Sequence, residues 1–117
     1  MVSERELAQI IAEACLAEKA LDVVILEVAD LTVIADYFVI ASGRSYTQVA
    51  NIIKNVEENL SDKGIKAARK DGYPQGTWTV LDYHSTILHV FQQEEREHYN
   101  LENLWGDAKE IKLNPVY

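Results

Sequence analysis

Few residues in this chain have the type and spacing that covalent chemistry requires. Ser42, Gly43, Arg44 and Ser45 leave an apolar run and enter a helical pattern, so their turn could receive a phosphate on free N–H groups at a helix start. A phosphate loop needs more glycines or a lysine in the reacting position, and neither is present. Two-metal nucleotidyl transfer also needs closely spaced carboxylates on a strand after such a turn. A helical pattern follows instead, and the later strand offers Asp82 alone, between Leu81 and Tyr83. A small nucleotide-binding or nucleotidyl-transfer enzyme built on this turn and Asp82 is therefore the secondary reading. His84, His89 and His98 include no pair at helical ligand spacing, which argues against zinc. His89 alternates with Leu88 and Val90 and reads as a packed or surface histidine. Cys15, without a partner, reads as a packed thiol. No catalytic residue, metal site or cofactor is expected.

What remains is a surface. Glu94, Glu95, Glu97 and Glu102 stand against Arg96 alone, and on charge they describe a solvated helix face. The aromatics change that weighting. Tyr99, Asn100 and Trp105 follow the acids, and Trp78 opens the adjoining hairpin; tyrosine, tryptophan and arginine dominate interface energies. An acidic segment carrying large rings suits docking on a basic protein.

The chain's bulk properties agree. Its 117 residues make one domain, able to bury roughly 65 to 70% of the surface its unfolded chain exposes. With 11 basic against 19 acidic side chains the net charge is -8, which repels phosphate backbones and anionic lipid, so direct nucleic-acid recognition is not expected. No apolar run approaches the roughly 18 residues of a spanning helix, and the N-terminus is unlike a signal peptide; a cytoplasmic protein is expected.

The elements that must position this segment are legible in outline. Ser3 with Glu6 forms a capping box, and Leu7, Ile10, Ile11 and Ala14 predict a helix over 4–19. Residues 23–28 predict a central strand covered on both faces, and 37–41 a second strand, while 31–36 is too mixed to assign. Ser45 with Gln48 is another capping box, followed by the stripe Val49, Ile52, Ile53, Val56 and Leu60 and a stop at Gly64. A weak basic edge strand over 65–70 and a loop at Gly72, Pro74 and Gly76 come next. Residues 78–83 and 86–91 predict a hairpin whose His84 and Ser85 turn lacks the usual glycine or asparagine. A short acidic helix over 94–99 ends at Asn100, and 109–117 reads as a loose tail behind a domain over 1–108. The order implies an α/β fold, one mixed β-sheet with packed helices.

Several strings resemble the ribosomal silencing factor family, also called Iojap-like or RsfS. They are Asp36 to Gly43 with Gln48 and Val49; Gly76, Trp78, Leu81, Asp82 and Tyr83; His89, Val90 and Phe91; and Glu95, Arg96, Tyr99, Asn100, Leu101, Leu104 and Trp105. The chain departs from the family pattern at His84 and Ser85, where a glycine and an acid are usual. The resemblance implies a nucleotidyltransferase-like outline without catalytic carboxylates, and no enzymatic activity. It implies binding to the large ribosomal subunit through its ribosomal protein fourteen, which blocks subunit joining and represses translation when nutrients are short. Trp78, Tyr99 and Trp105 would then supply anchors, and Glu94, Glu95 and Glu97 the steering. An exposed aromatic patch tends to bury itself, so a homodimer of the free form is expected.

Overall fold

A computed structural model describes residues 2–72 and 77–111. In chain order the elements are α1 (Glu4–Ala17), β1 (Leu21–Glu27), β2 (Tyr37–Gly43), α2 (Tyr46–Ser61), β3 (Arg69–Gly72), β4 (Trp78–Asp82), β5 (Thr86–Gln92), α3 (Gln93–Tyr99), α4 (Leu101–Leu104) and β6 (Lys109–Ile111). Among the described residues six strands form one mixed sheet in the order β3-β4-β5-β2-β1-β6. β2 and β5 run parallel and the remaining pairs antiparallel. The expected α/β architecture is therefore the observed one.

Local chemistry explains the helices. The Ser3 hydroxyl accepts from Glu6 N at 3.1 Å and Glu6 Oε1 accepts from Ser3 N at 3.2 Å, closing the predicted capping box. Ser45 caps α2 by accepting from Gln48 N, but Gln48 Oε1 reaches past Ser45 to the backbone N of Arg44. The same amide donates to the carbonyls of Glu18 and Lys19 at 3.2 and 3.0 Å, tying the start of α2 to the end of α1. Gly43 permits this join, because a Cβ there would lie 3.0 Å from Val49 Cγ2.

α1 and α2 cover one face of the sheet. Ile11, Cys15, Ile52, Val56 and Leu60 pack there on Val39, Ala41, Leu81, Leu88 and Val90. Alternation along the same strands sends Phe38, Ile40 and Phe91 to the opposite face. Cys15 is the packed thiol expected, and burial pushes its pKa up to about 12.

Three expectations change, and the expected hairpin forms with a strained turn. β1 is next to the edge and only partly buried, since among the described residues the three-residue β6 is what pairs with its outer side; complete burial falls on β2, between β5 and β1. The basic edge strand lies at Arg69–Gly72 rather than over 65–70, because Ile65 and Ala67 turn inward against the core first. The supposed tail begins as β6, where Ile111 buries beside Ile25 and completes the sheet. Residues 112–117 lie outside the described residues, as do Pro74 and Gly76 of the predicted loop. The hairpin forms around His84, whose φ is +69°. Ser85 N donates to the Tyr83 carbonyl at 2.9 Å, the three-residue closure of a γ-turn that an L-residue adopts under strain.

Candidate docking surface

The second face of the sheet carries the acidic aromatic segment. β5 runs directly into α3, which turns the chain across the sheet; Asn100, at φ 47° and ψ 46°, then ends α3 in the left-handed conformation and starts α4. Asparagine tolerates that conformation better than most L-residues. The bend keeps both helical segments over the sheet. Together they hold Tyr99 at one end of the face and Trp105 towards the other.

The rings form a connected platform. Trp78 on β4 stacks on Phe91 with centroids 4.9 Å apart and meets Tyr99 at 4.7 Å. His89 lies edge-on to Phe38 at 5.1 Å, and Phe38 edge-on to Trp105 at 5.2 Å. Tyr99 is 42% exposed and Leu104 is 76% exposed, whereas Trp78 and Trp105 are half-buried. Trp78 and Trp105 therefore belong both to the packing and to the surface.

Arg96 is placed differently from its acidic neighbours. It is 8% exposed and points into the fold, where Nε and Nη2 donate to both carboxylate oxygens of Glu102 at 2.8 and 2.9 Å. Nη1 donates to Ser42 Oγ at 2.9 Å and, more weakly, to the Leu21 carbonyl at 3.5 Å. One guanidinium thus fastens α3, α4, β1 and β2. Its hydrogen bonds hold the Glu102 carboxyl below the usual carboxylate range, against a smaller opposing effect of burial. Arg96 supports the surface from beneath instead of projecting from it.

Beside this fastening opens a cleft of about 780 Å³ between the start of β1 and α3, with Asp22, Glu94, Glu97 and Glu102 among its lining carboxylates. Glu94 and Glu97 are exposed and Glu95 half-buried, four residues before Tyr99 and so on the same helical stripe. α3 accordingly presents acids towards the cleft and a ring towards the hairpin. The structure brings Trp78, Glu95 and Tyr99 to one side, Glu94 and Glu97 to the other, and leaves Trp105 and exposed Leu104 across the bend at Asn100.

The groups of the nucleotide reading have other partners. Ser42 Oγ accepts from Arg96, Ser45 caps α2, and the Arg44 backbone N–H is taken by Gln48. Asp82 Oδ1 accepts from His84 N at 2.8 Å and Oδ2 lies 3.9 Å from Arg69 Nε, so this carboxylate braces the strained hairpin turn. Among the described residues no group of three or more His, Cys, Asp or Glu is placed to hold a metal ion. No helix among them is long and apolar enough to cross a membrane.

A sequence profile described as "Ribosomal silencing factor during starvation" matches residues 2–117. The chain belongs to the ribosomal silencing factor family. The family's curated members include a ribosomal silencing factor RsfS of Halalkalibacterium halodurans, 38% identical over 115 residues that span 98% of each chain. The Bacillus subtilis protein of the same name is 34% identical over 107 residues, covering 92% of this chain and 91% of its own. A crystal structure of a Chromobacterium violaceum protein superposes with a TM-score of 0.86 at 25% identity, over 96% of this chain and 92% of that one. The family is named for silencing of the ribosome.

Sequence reasoning missed Ser42, Glu102 and His89 as parts of that surface's support. One signal was available for Arg96: it is the single base among four acids within a few residues, so it has a carboxylate partner close at hand. Which acid that is depends on the bend at Asn100, and no periodic pattern carries it.

Proposed function

We propose that this protein docks on the large ribosomal subunit through its ribosomal protein fourteen and sterically blocks joining of the small subunit, repressing translation under nutrient limitation. The observation that carries the reading is the acid-flanked aromatic face of α3 and the β4–β5 hairpin. Trp78, Tyr99 and Trp105 offer apolar area on a rigid sheet, and Glu94, Glu95 and Glu97 add negative charge around it. A negative field attracts a basic ribosomal protein and is repelled by neighbouring RNA, which narrows where the domain lands.

No chemical step is required. The radius of gyration is 12.9 Å and the extents are 34 × 33 × 31 Å, enough to occupy a subunit-joining contact as a rigid block. The protein acts in the cytoplasm on this reading. Exposed Tyr99 and Leu104 favour pairing of free copies through the same face, which light scattering at increasing concentration measures.

Sedimentation of purified ribosomal subunits with the protein tests the docking. Co-migration with the large subunit and fewer joined ribosomes are expected. Absence of either result removes the reading.

A further inference from the structure

His89 is a buried polar ring where a hydrocarbon would pack. It lies on β5, 8% exposed, edge-on to Phe38 and 5.9 Å from Trp78 between ring centroids. Its Nδ1 accepts from the indole Nε1–H of Trp78 at 3.1 Å. That bond requires Nδ1 to be unprotonated, so the neutral ring carries its hydrogen on Nε2. The Nε2 atom is buried without a hydrogen-bond partner among the described residues, which costs free energy that a phenylalanine would avoid. Something offsets that cost.

The indole supplies the reason. Stacking on Phe91 and a tilted contact with Tyr99 hold the plane of Trp78, but dispersion between rings is weakly directional and lets an indole slide or flip within that plane. A hydrogen bond from Nε1 to a fixed acceptor selects one flip and decides which edge of the ring turns inward. Tyr99 rests on the ring so oriented. Burial also pushes the His89 pKa down to about 4, so the acceptor is intact at neutral pH.

We propose that His89 is a positioning residue for docking: through Nδ1 it fixes the Trp78 indole, and with it the contact that Trp78 and Tyr99 jointly present to the partner protein. The proposal rests on the docking function above. It adds that an acceptor atom inside the sheet contributes to the shape of the face.

The test compares His89→Phe, which keeps a ring but removes the acceptor, with His89→Asn, whose Oδ1 falls near the position of Nδ1. Two quantities are read in ¹⁵N-labelled protein: the Trp78 indole N–H resonance with its hydrogen exchange, and the affinity for isolated large subunits. His89→Phe is expected to move the resonance, speed exchange and weaken binding about tenfold, and His89→Asn to recover most of each. An unchanged indole signal in His89→Phe, or equal affinities for the two variants, overturns the proposal. Should His89→Phe fail to fold, His89→Gln replaces it, because its amide reaches past Nδ1; equal binding by the Asn and Gln variants is then the overturning result. If the wild-type protein does not bind large subunits, the docking function falls and this role with it, and the indole signals still show whether His89 orients Trp78.

Discussion

The two faces of the sheet come from the same strands and differ in almost every physical respect. Towards α1 and α2, β2 and β5 turn Val39, Ala41, Leu88 and Val90 into an aliphatic layer from which water is excluded. Towards α3 and α4 the intervening residues are Phe38, His89 and Phe91, covered by half-buried Trp78 and Trp105 and by a helix of acids. The first layer gains stability from complete burial of branched side chains that have no polar atoms to satisfy. The second keeps rings and carboxylates at the boundary with water, where less is gained on folding and more remains for a partner. A small domain can thus separate stability from recognition by a residue's parity along one strand.

The separation can be broken from either side. Leu88→Ala opens a cavity in the aliphatic layer and should lower unfolding free energy by about 3 kcal/mol in urea titration, with affinity for large subunits per folded molecule unchanged. Altered affinity would show that the two faces are coupled.

Acid should act on the aromatic face first. In the unfolded chain His89 takes up a proton near pH 6.5, but in the fold only near pH 4, so stability is full above 6.5 and falls as pH drops through that window. Between pH 7 and pH 5 the loss should be about 2 kcal/mol. Glu102 adds to it at lower pH, since its depressed pKa contributes stability that protonation removes. Denaturation curves that overlay from pH 7 to 5 would contradict the burial of a neutral imidazole.

Arg96→Ala should cost about 2 kcal/mol, because Ser42 and Glu102 lose a shared donor in a partly dry site. Amide exchange should quicken in α3 and α4 and stay slow in α1 and α2. Uniform quickening would mean that the guanidinium holds the whole fold and not one face.

Tyr99→Ala should cost under about 1 kcal/mol of stability yet weaken subunit binding by about 2 kcal/mol, roughly thirtyfold. Equal affinities would remove Tyr99 as an anchor. The smallest effect is expected from Glu94→Gln, which leaves stability within about 0.5 kcal/mol and mainly slows association while flattening its salt dependence. Stopped-flow rates at two ionic strengths measure it.

Much of this was legible in the residues themselves. The capping box at Ser3, the stripe from Val49 to Leu60, the hairpin and the left-handed stop at Asn100 are consequences of short-range geometry, which neighbouring residues settle among themselves. The concentration of acids and rings after residue 92 pointed to the proposed docking surface for a similar reason, since composition is local. Asp82 shows the limit: its isolation argued against metal chemistry, but its part in bracing the His84 turn emerges only with the strands paired.

What the tertiary structure alone decided is which of the recognised residues look outward. Arg96 and Tyr99 are three apart on one short helix and equally at home in an interface. One meets Ser42, fifty-four residues earlier, and disappears beneath the surface; the other lies on Trp78 and remains 42% exposed. Likewise Ile111 becomes a sheet residue because β1 offers it an open edge, and His89 an acceptor because the Trp78 indole reaches it diagonally from β4. Residue type and spacing determined the elements and the character of the segment, because those depend on neighbours in the chain. Orientation depends on partners brought near by parallel pairing of β2 with β5 and by the turn of the chain at Asn100, and no local pattern encodes that meeting.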